Sequence, residues 1–306
     1  MNDIQRYFSD YIRDRKGLVL TDEPLKNHCT FKIGGPAEIL FVPQDEDALI
    51  AAVKFANLYN VPLRVLGNGS NVLISDKGLK GITLKLKGGL TDMMYLGGGN
   101  IACGAGVSLK KLCTFALENS LTGLEFAYGI PGSVGGAIYM NGGAYGGEIK
   151  NVLASVRSVS LKDGSVKEAP VSELDMSYRH TAFMTNDEIV TAGYFKLETG
   201  SKEEIEAKMS ELLGKRKASQ PLEYPSAGST FKRPPEGYAA AHIEQCGLKG
   251  HSHGGAMVSP KHAGFVINTG NAVFDDVIAI MDEIKQTVFE QHGVMLEPEV
   301  EILGDD

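Results

Sequence analysis

The chain has 306 residues, 43% hydrophobic and 22% charged, an ordinary globular composition long enough for two domains and a sizeable core. Its formal net charge of −8 argues against a general nucleic-acid binder, which carries a basic stripe. No apolar run approaches the roughly 20 residues a membrane span needs, and the start Met1-Asn2-Asp3-Ile4-Gln5 is polar where a signal peptide is basic and then apolar, so a cytoplasmic protein off the membrane is expected.

In chain order, Ile4, Tyr7, Phe8, Tyr11 and Ile12 recur at helical spacing. Asn27–Pro36 reads as strand and turn, broken at Gly34-Gly35-Pro36. Asp45 caps a helix to about Tyr59 with Leu49, Ile50, Val53 and Ala56 inward. Pro62–Leu66 and Val72-Leu73-Ile74 read as strands. Ile82, Leu84 and Leu86 alternate as in a half-buried strand. Lys87–Asn100 is loop-rich, and Ser108 caps a helix through Leu117. Val152–Leu161 and Ile189–Leu197 alternate as strands.

Ser201-Lys202-Glu203-Glu204 is a capping box opening a helix with Ile205, Met209, Leu212 and Leu213 on one face. That helix ends in Lys215-Arg216-Lys217, and a Pro/Gly-rich loop spans Gln220–Gly237. A short helix over Tyr238–Cys246 stops at Gly247, and a long one over Phe274–His292 stops at Gly293. Met295–Leu303 reads as a final strand. The pattern is α+β, with a domain boundary near Gly200. Cys29, Cys103, Cys113 and Cys246 form no Cys-x-x-Cys pair, so buried thiols are expected rather than a zinc site or a disulfide framework. His251 and His253 have a metal-like spacing but no evident third ligand, and a polar loop is the simpler reading.

Eight of the 37 glycines fall between 129 and 147. Such density costs backbone entropy, and its usual use is tight turns or main chain pressed against a ligand, often with N–H groups aimed at a diphosphate. A second loop, Leu66-Gly67-Asn68-Gly69-Ser70-Asn71, joins two apolar runs. It lacks the third glycine of a dinucleotide fingerprint and precedes a strand rather than a helix. No phosphate-binding Gly-x-x-x-x-Gly-Lys-Ser/Thr loop is present. Two glycine-rich loops at strand ends therefore point to a large phosphate-bearing cofactor held between strands, with two elaborate turns as the plainer alternative.

Asn27–Ala37, Leu66–Leu73, Gly123–Ile149, Tyr178-Arg179, Ala227–Pro234 and Leu296–Gly304 together resemble the signature segments of the UDP-N-acetylenolpyruvoylglucosamine reductases, in order and from about residue 20 onward. The resemblance implies an α+β flavoprotein. Residues 1–200 would form an FAD-binding domain of the vanillyl-alcohol-oxidase (PCMH) type, in lobes of about 1–87 and 88–200, and 201–306 a C-terminal α+β substrate-binding domain. It implies noncovalent FAD, NADPH as co-substrate and UDP-N-acetylglucosamine enolpyruvate as acceptor, in a monomeric enzyme of peptidoglycan precursor synthesis that serves cell-wall biogenesis, cell shape and division. The short stretch between Phe195 and Gln220 matches the shorter subtype, so Arg216, Lys232 and Arg233, with Tyr178, become the candidates for substrate binding.

The implied chemistry needs a cation at a developing enolate, a proton donor and a group tuning both. Arg179 suits the first, since a guanidinium is always charged and grips carboxylates in a fork. Ser229, in Ser226-Ala227-Gly228-Ser229-Thr230, suits the second, given a neighbouring cation and a proton relay. Alternation puts Glu297 and Glu299 on one strand face, and the resemblance, whose matching glutamate directly precedes the valine, implies Glu299 for the third, orienting the substrate carboxylate and Arg179. Their plainer readings are a loop arginine, a turn serine and a solvent-facing strand carboxylate. On the cofactor side, Val65, Leu66, Gly67, Asn68, Gly69, Ser70 and Asn71 would wrap the diphosphate. Pro131, Gly132, Ser133, Gly135, Gly136 and Ala137 would lie along the diphosphate and isoalloxazine. Tyr128, Ile189 and Val190 would meet the adenine or ribityl chain. Another enzyme of the same flavin fold, or a non-catalytic nucleotide-binding module, are the competing readings.

Overall fold

Local chemistry sets the helix ends. In this computed structural model, which describes residues 1–304, the helix Asp3–Tyr11 opens with a capping box. The Asn2 side chain accepts from Gln5 N at 2.9 Å, and Asn2 N donates to Gln5 Oε1 at 2.7 Å. Asp45 Oδ1 accepts from Ala48 N at 2.9 Å and starts the helix Glu46–Tyr59. Ser108 Oγ accepts from Lys111 N and starts Leu109–Glu118. Gly293, at φ +67°, ends Phe274–His292, the left-handed stop that glycine makes without steric cost.

The chain forms two compact units, and neither is one continuous stretch. The first comprises Met1–Glu23, Glu38–Asn68 and Lys80–Gly214; the second comprises Pro24–Ala37, Gly69–Leu79 and Lys215–Asp306. The later changeover falls at Gly214, inside the helix Lys202–Ser219, rather than at Gly200.

Leu63–Leu66 runs parallel to Leu79–Lys85, in a four-stranded sheet whose other strands are Gly17–Pro24 and Pro36–Pro43 and which, apart from a few strand-end residues, belongs to the first unit. A second sheet of five strands has the spatial order Val166–Pro170, Leu153–Ser160, Glu188–Lys196, Asn100–Gly104, Met93–Gly97, every neighbouring pair antiparallel. One core joins the helix residues Leu49, Val53 and Phe55 to Ile82, Ile101, Val156 and Phe195. Arg157 Nε donates to Glu46 Oε2 at 2.8 Å, with a second bond from Nη2 to Oε1 at 2.9 Å, pinning the N-terminus of Glu46–Tyr59 to the second sheet. In the second unit, Phe274–His292 buries Val277, Ile280, Met281, Ile284 and Val288 in a separate core with Phe31, Leu73, Phe231 and Val266.

Several expected elements differ. Asn27–Gly35 forms no strand. Lys32 (φ +61°) and Gly34 (φ +144°) bend the chain out of the extended region, and the segment's amides bond to other loops, as in Gly35 N to Ser75 O at 2.9 Å. Lys87–Asn100 contains the strand Met93–Gly97, which forms a hairpin with Asn100–Gly104 through the turn at Gly98-Gly99. The strand at Ile82 and Leu84 is buried on both faces, because Thr83 and Lys85 are enclosed too. The final strand shortens to Glu301–Leu303, parallel to Val72–Ile74; proline 298 brings no N–H to a ladder. The glycine-rich run is not all loop, since Val134–Tyr139 is helical.

The strand Ser252–His253 and the residue before it turn His251 and His253 onto one helix carboxylate. His251 Nε2 lies 2.5 Å from Glu283 Oε2, and His253 Nδ1 lies 2.7 Å from Glu283 Oε1. Among the described residues no cluster of three or more such side chains is arranged to hold a metal ion. The two histidine bonds hold the Glu283 carboxyl below its ordinary value of 4.5. A carboxyl lowered in the folded state adds stability above its unfolded value and loses it as pH falls through the folded value. Glu283→Gln is therefore expected to lower the melting temperature at pH 7 and to lower it by less near pH 3. An equal drop at both pH values in thermal melts would refute this contribution.

Candidate active site

The strand Leu63–Leu66 delivers the first glycine loop. Leu66 is buried and accepts from Leu86 N at 3.0 Å, whereas Val65 is 40% exposed. Among the described residues, the main-chain N–H groups of Gly67 through Asn71 donate to no other main-chain group. Their carbonyls are used: Gly69 O accepts from Thr30 N and Asn71 O from Glu301 N, both at 2.9 Å. A Cβ on Gly67 would lie 2.6 Å from Ser133 Oγ, and one on Gly69 (φ +68°) would lie 2.3 Å from His28 O. Glycine is demanded at Gly69, where the neighbours are main chain and φ is positive, whereas at Gly67 the neighbour is a side-chain hydroxyl that would have to shift. Asn68 Nδ2 donates to Pro131 O, and its Oδ1 is buried with no partner among the described residues, an acceptor in want of a hydroxyl or N–H. Ser70 is half-buried. Asn71 turns its side-chain amide to Glu299 O at 2.9 Å.

The second glycine segment meets the first at Pro131 and Ser133. Ser133 caps Val134–Tyr139, accepting from Gly136 N at 3.4 Å. Val134 N and Gly135 N donate to Val107 O and Ala105 O at 2.8 and 2.9 Å, so the start of this helix is welded to a neighbouring turn. A Cβ on Gly135 would come within 2.8 Å of the Ala105 Cβ. Gly132 O accepts from Leu109 N at 3.0 Å, and Ala137 is in the core. Tyr128 is half-buried, with Lys110 Nζ 5.9 Å from its ring centroid. Ile189 and Val190 are buried in the strand Glu188–Lys196. The helix was legible as Ser133 followed by apolar Val134, Ala137 and Ile138 at helical spacing; the glycines around it masked that signal.

Arg179 also belongs to the first unit. It sits at φ +53° in the turn closed by Ser177 N to His180 O at 3.1 Å and His180 N to Ser177 O at 3.2 Å. Its guanidinium carbon lies 5.1 Å from the Tyr178 ring centroid, and Tyr178 is exposed.

Ser229 and Glu299 belong to the second unit. Their segments run antiparallel, with Phe231 opposite Pro298, Lys232 N donating to Glu297 O at 2.8 Å and Glu299 N to Thr230 O at 2.9 Å. Thr230 is buried and bound on a third side, its Oγ1 accepting from Val266 N at 3.0 Å. Ser229 itself is exposed beside Gly228, which has φ +82° and open space where a Cβ would stand. Glu299 is half-buried. This unit thus brings the candidate donor and the candidate carboxylate onto paired, anchored main chain. Lys232 Nζ lies 3.5 Å from Glu297 Oε2, and the Arg233 guanidinium carbon 3.9 Å from the Tyr238 ring centroid. Arg216 is buried, with Nη1 donating to Gln220 Oε1 at 3.1 Å. Burial pushes the Cys103 thiol up to about 12 and raises Cys113 as well, so neither is a ready nucleophile.

Residues 37–169 match the FAD binding domain family, and residues 220–303 match the C-terminal domain of UDP-N-acetylenolpyruvoylglucosamine reductase. The chain is 46% identical over 291 residues to the UDP-N-acetylenolpyruvoylglucosamine reductase of Caldanaerobacter subterraneus subsp. tengcongensis, covering 95% of each chain. It is 45% identical over 307 residues to UDP-N-acetylenolpyruvoylglucosamine reductase 2 of Bacillus cereus, covering 100% of this chain and 99% of that one. The crystal structure of the reductase from Thermus caldophilus superposes with a TM-score of 0.80 at 35% identity, over 95% of this chain and 100% of that one. Among the described residues no helix is long and apolar enough to cross a membrane. With likeness at this level along the whole chain, in both sequence and fold, the chain belongs to the UDP-N-acetylenolpyruvoylglucosamine reductase family.

Proposed function

We propose that this chain reduces UDP-N-acetylglucosamine enolpyruvate to UDP-N-acetylmuramate with NADPH and noncovalent FAD, as a cytoplasmic monomer supplying peptidoglycan precursor. The observation that carries the reading is the second unit's paired segments, with Ser229 and Glu299 on main chain locked by the 2.9 Å bond from Glu299 N to Thr230 O. The residues fit the cofactor: the Gly67–Asn71 amides are not consumed by main chain, Asn68 Oδ1 lacks a donor, and glycines stand where a Cβ would collide. Such amides suit a diphosphate.

When bound, FAD supplies the hydride relay from the nicotinamide to the terminal carbon of the enolpyruvyl ether. The chain's own part is electrostatic and positional. Val65–Asn71 and Pro131–Ala137 hold the cofactor, with Tyr128 and the strand at Ile189 and Val190 flanking it. Arg179 binds the substrate carboxylate, where negative charge grows as the double bond is reduced; a fixed donor so placed contributes about 3 kcal/mol. Ser229 gives its hydroxyl proton to the carbon beside that carboxylate. Glu299 orients the carboxylate. Arg216, Lys232 and Arg233 serve the UDP diphosphate, and Tyr178 binds the substrate.

Run in deuterated water with NADPH, the reaction is expected to yield a product carrying one solvent deuterium at the carbon next to the carboxylate, read by mass spectrometry and NMR. No product, or solvent deuterium at the terminal carbon instead, would refute the assignment.

A further inference from the structure

We propose that Asn141 and Thr181 are positioning residues for Arg179, bolting its turn to the end of the second glycine segment. The inference rests on the reading that Arg179 meets the substrate carboxylate. A non-glycine residue at φ +53° is strained by about 1–3 kcal/mol and persists when its surroundings over-determine it. Here both flanks of the turn are tied. On one side, Asn141 Nδ2 donates to Ser177 O at 2.9 Å and to Glu148 Oε2 at 2.7 Å, while Asn141 Oδ1 accepts from Lys150 N at 3.0 Å. On the other, Thr181 Oγ1 donates to Tyr139 O at 2.5 Å. Ala182 N closes the outer loop onto Leu174 O at 2.8 Å.

Asn141 is 1% exposed and Thr181 0%. Buried polar side chains cost free energy unless bonded, and these two are bonded to the turn and to the segment behind it. Both amide hydrogens of Asn141 are used within the protein, so it has none left to offer a ligand. Asn141 stands at φ +45°, a conformation asparagine tolerates better than most residues. Tyr139 ends the helix Val134–Tyr139, and Asn141 follows it by two residues. One piece, helix plus Asn141, therefore carries Gly135, Gly136 and Ala137, which are among the residues proposed to lie along the flavin, and fixes where the Arg179 backbone stands. A misplacement of about 1 Å at such a distance from the chemistry can cost about 100-fold in rate.

The test follows visible absorbance of the FAD-loaded full chain through both halves of turnover. In Asn141→Ala, bleaching by NADPH is expected within about threefold of the parent, and recovery on adding the enolpyruvyl sugar is expected to slow by about 10- to 100-fold. Recovery in the double variant with Arg179→Ala is expected to be no slower than in Arg179→Ala alone, because residues acting through one another are non-additive. Thr181→Val is expected to slow recovery in the same way, and Thr181→Ser to restore it. This second pair carries the same test if Asn141→Ala fails to fold. Parent-like recovery in both Asn141→Ala and Thr181→Val, or losses that multiply with that of Arg179→Ala, would overturn the positioning role. Parent-like recovery in Arg179→Ala itself would instead remove the catalytic reading of Arg179, and this inference with it.

Discussion

Ser229→Ala is expected to bleach normally with NADPH and then to stay bleached when the enolpyruvyl sugar is added. Donation of a proton by a positioned side chain contributes about 100- to 10,000-fold, so recovery is expected to slow into that range while the first half stays within about threefold. The reason is local. Ser229 is exposed at the end of a segment whose next residue, Thr230, is fastened by Gly264 O at 2.8 Å, by Val266 N at 3.0 Å and by Glu299 N at 2.9 Å. Removing one oxygen from an exposed side chain leaves those bonds untouched, so the fold has little cause to respond. Ser229→Cys, with a more acidic group of similar size, is expected to recover part of the rate. Stopped-flow absorbance under nitrogen reads both halves. Equal loss in the two halves, or none in either, would refute the role given to Ser229.

Gly69→Ala is expected to lose most of its flavin. The added methyl would stand 2.3 Å from His28 O and 2.7 Å from Cys29 Cα. Both are main-chain atoms that cannot swing aside, and φ +68° is itself unfavourable for alanine. The loop must move, and its amides move with it. Strain of about 1–3 kcal/mol corresponds to FAD binding weakened by about 5- to 140-fold. Gly146→Ala is the matched control. It has φ +83°, but its methyl would meet nothing within 4 Å, so it is expected to cost some stability and to keep its flavin. Titration of the apoprotein with FAD, followed by fluorescence quenching, measures both. Parent-like affinity in Gly69→Ala would mean that this loop does not hold the cofactor.

What the sequence made legible was local chemistry. Asp45, Ser108 and Gly293 are capping residues whose effect is confined to one helical turn, and the structure places helix ends at each. The spacing of Ile4, Tyr7, Phe8, Tyr11 and Ile12 marked a helix, and the apolar residues of Leu153–Ser160 and Glu188–Lys196 marked strands, but Tyr7 and Tyr11 stay exposed and burial along the strands does not alternate, Ile189, Val190 and Thr191 being buried in succession. Illegible features came from long-range partners. Residues 24–37 and 69–79 join the C-terminal part in one unit, through pairings such as Thr30 Oγ1 to Ser226 O at 2.6 Å and Val72 with Glu301. No composition shift announces such contacts. The strand Met93–Gly97 hid among glycines and polar residues because its partner Asn100–Gly104 supplies what propensity does not. Asn141 looked like one more residue in a glycine run; its importance lies in a bond to Ser177, far along the chain. The resemblance, by contrast, identified the family from scattered short segments, because their joint order is far more specific than any one of them.

The most direct measurement is one series of visible spectra on the purified full chain under nitrogen. The account predicts a yellow protein, or a colourless one that turns yellow with added FAD, whose absorbance falls on adding NADPH and returns on adding UDP-N-acetylglucosamine enolpyruvate. A folded protein that takes up no FAD, or one whose colour returns with oxygen and never with the sugar nucleotide, would contradict it.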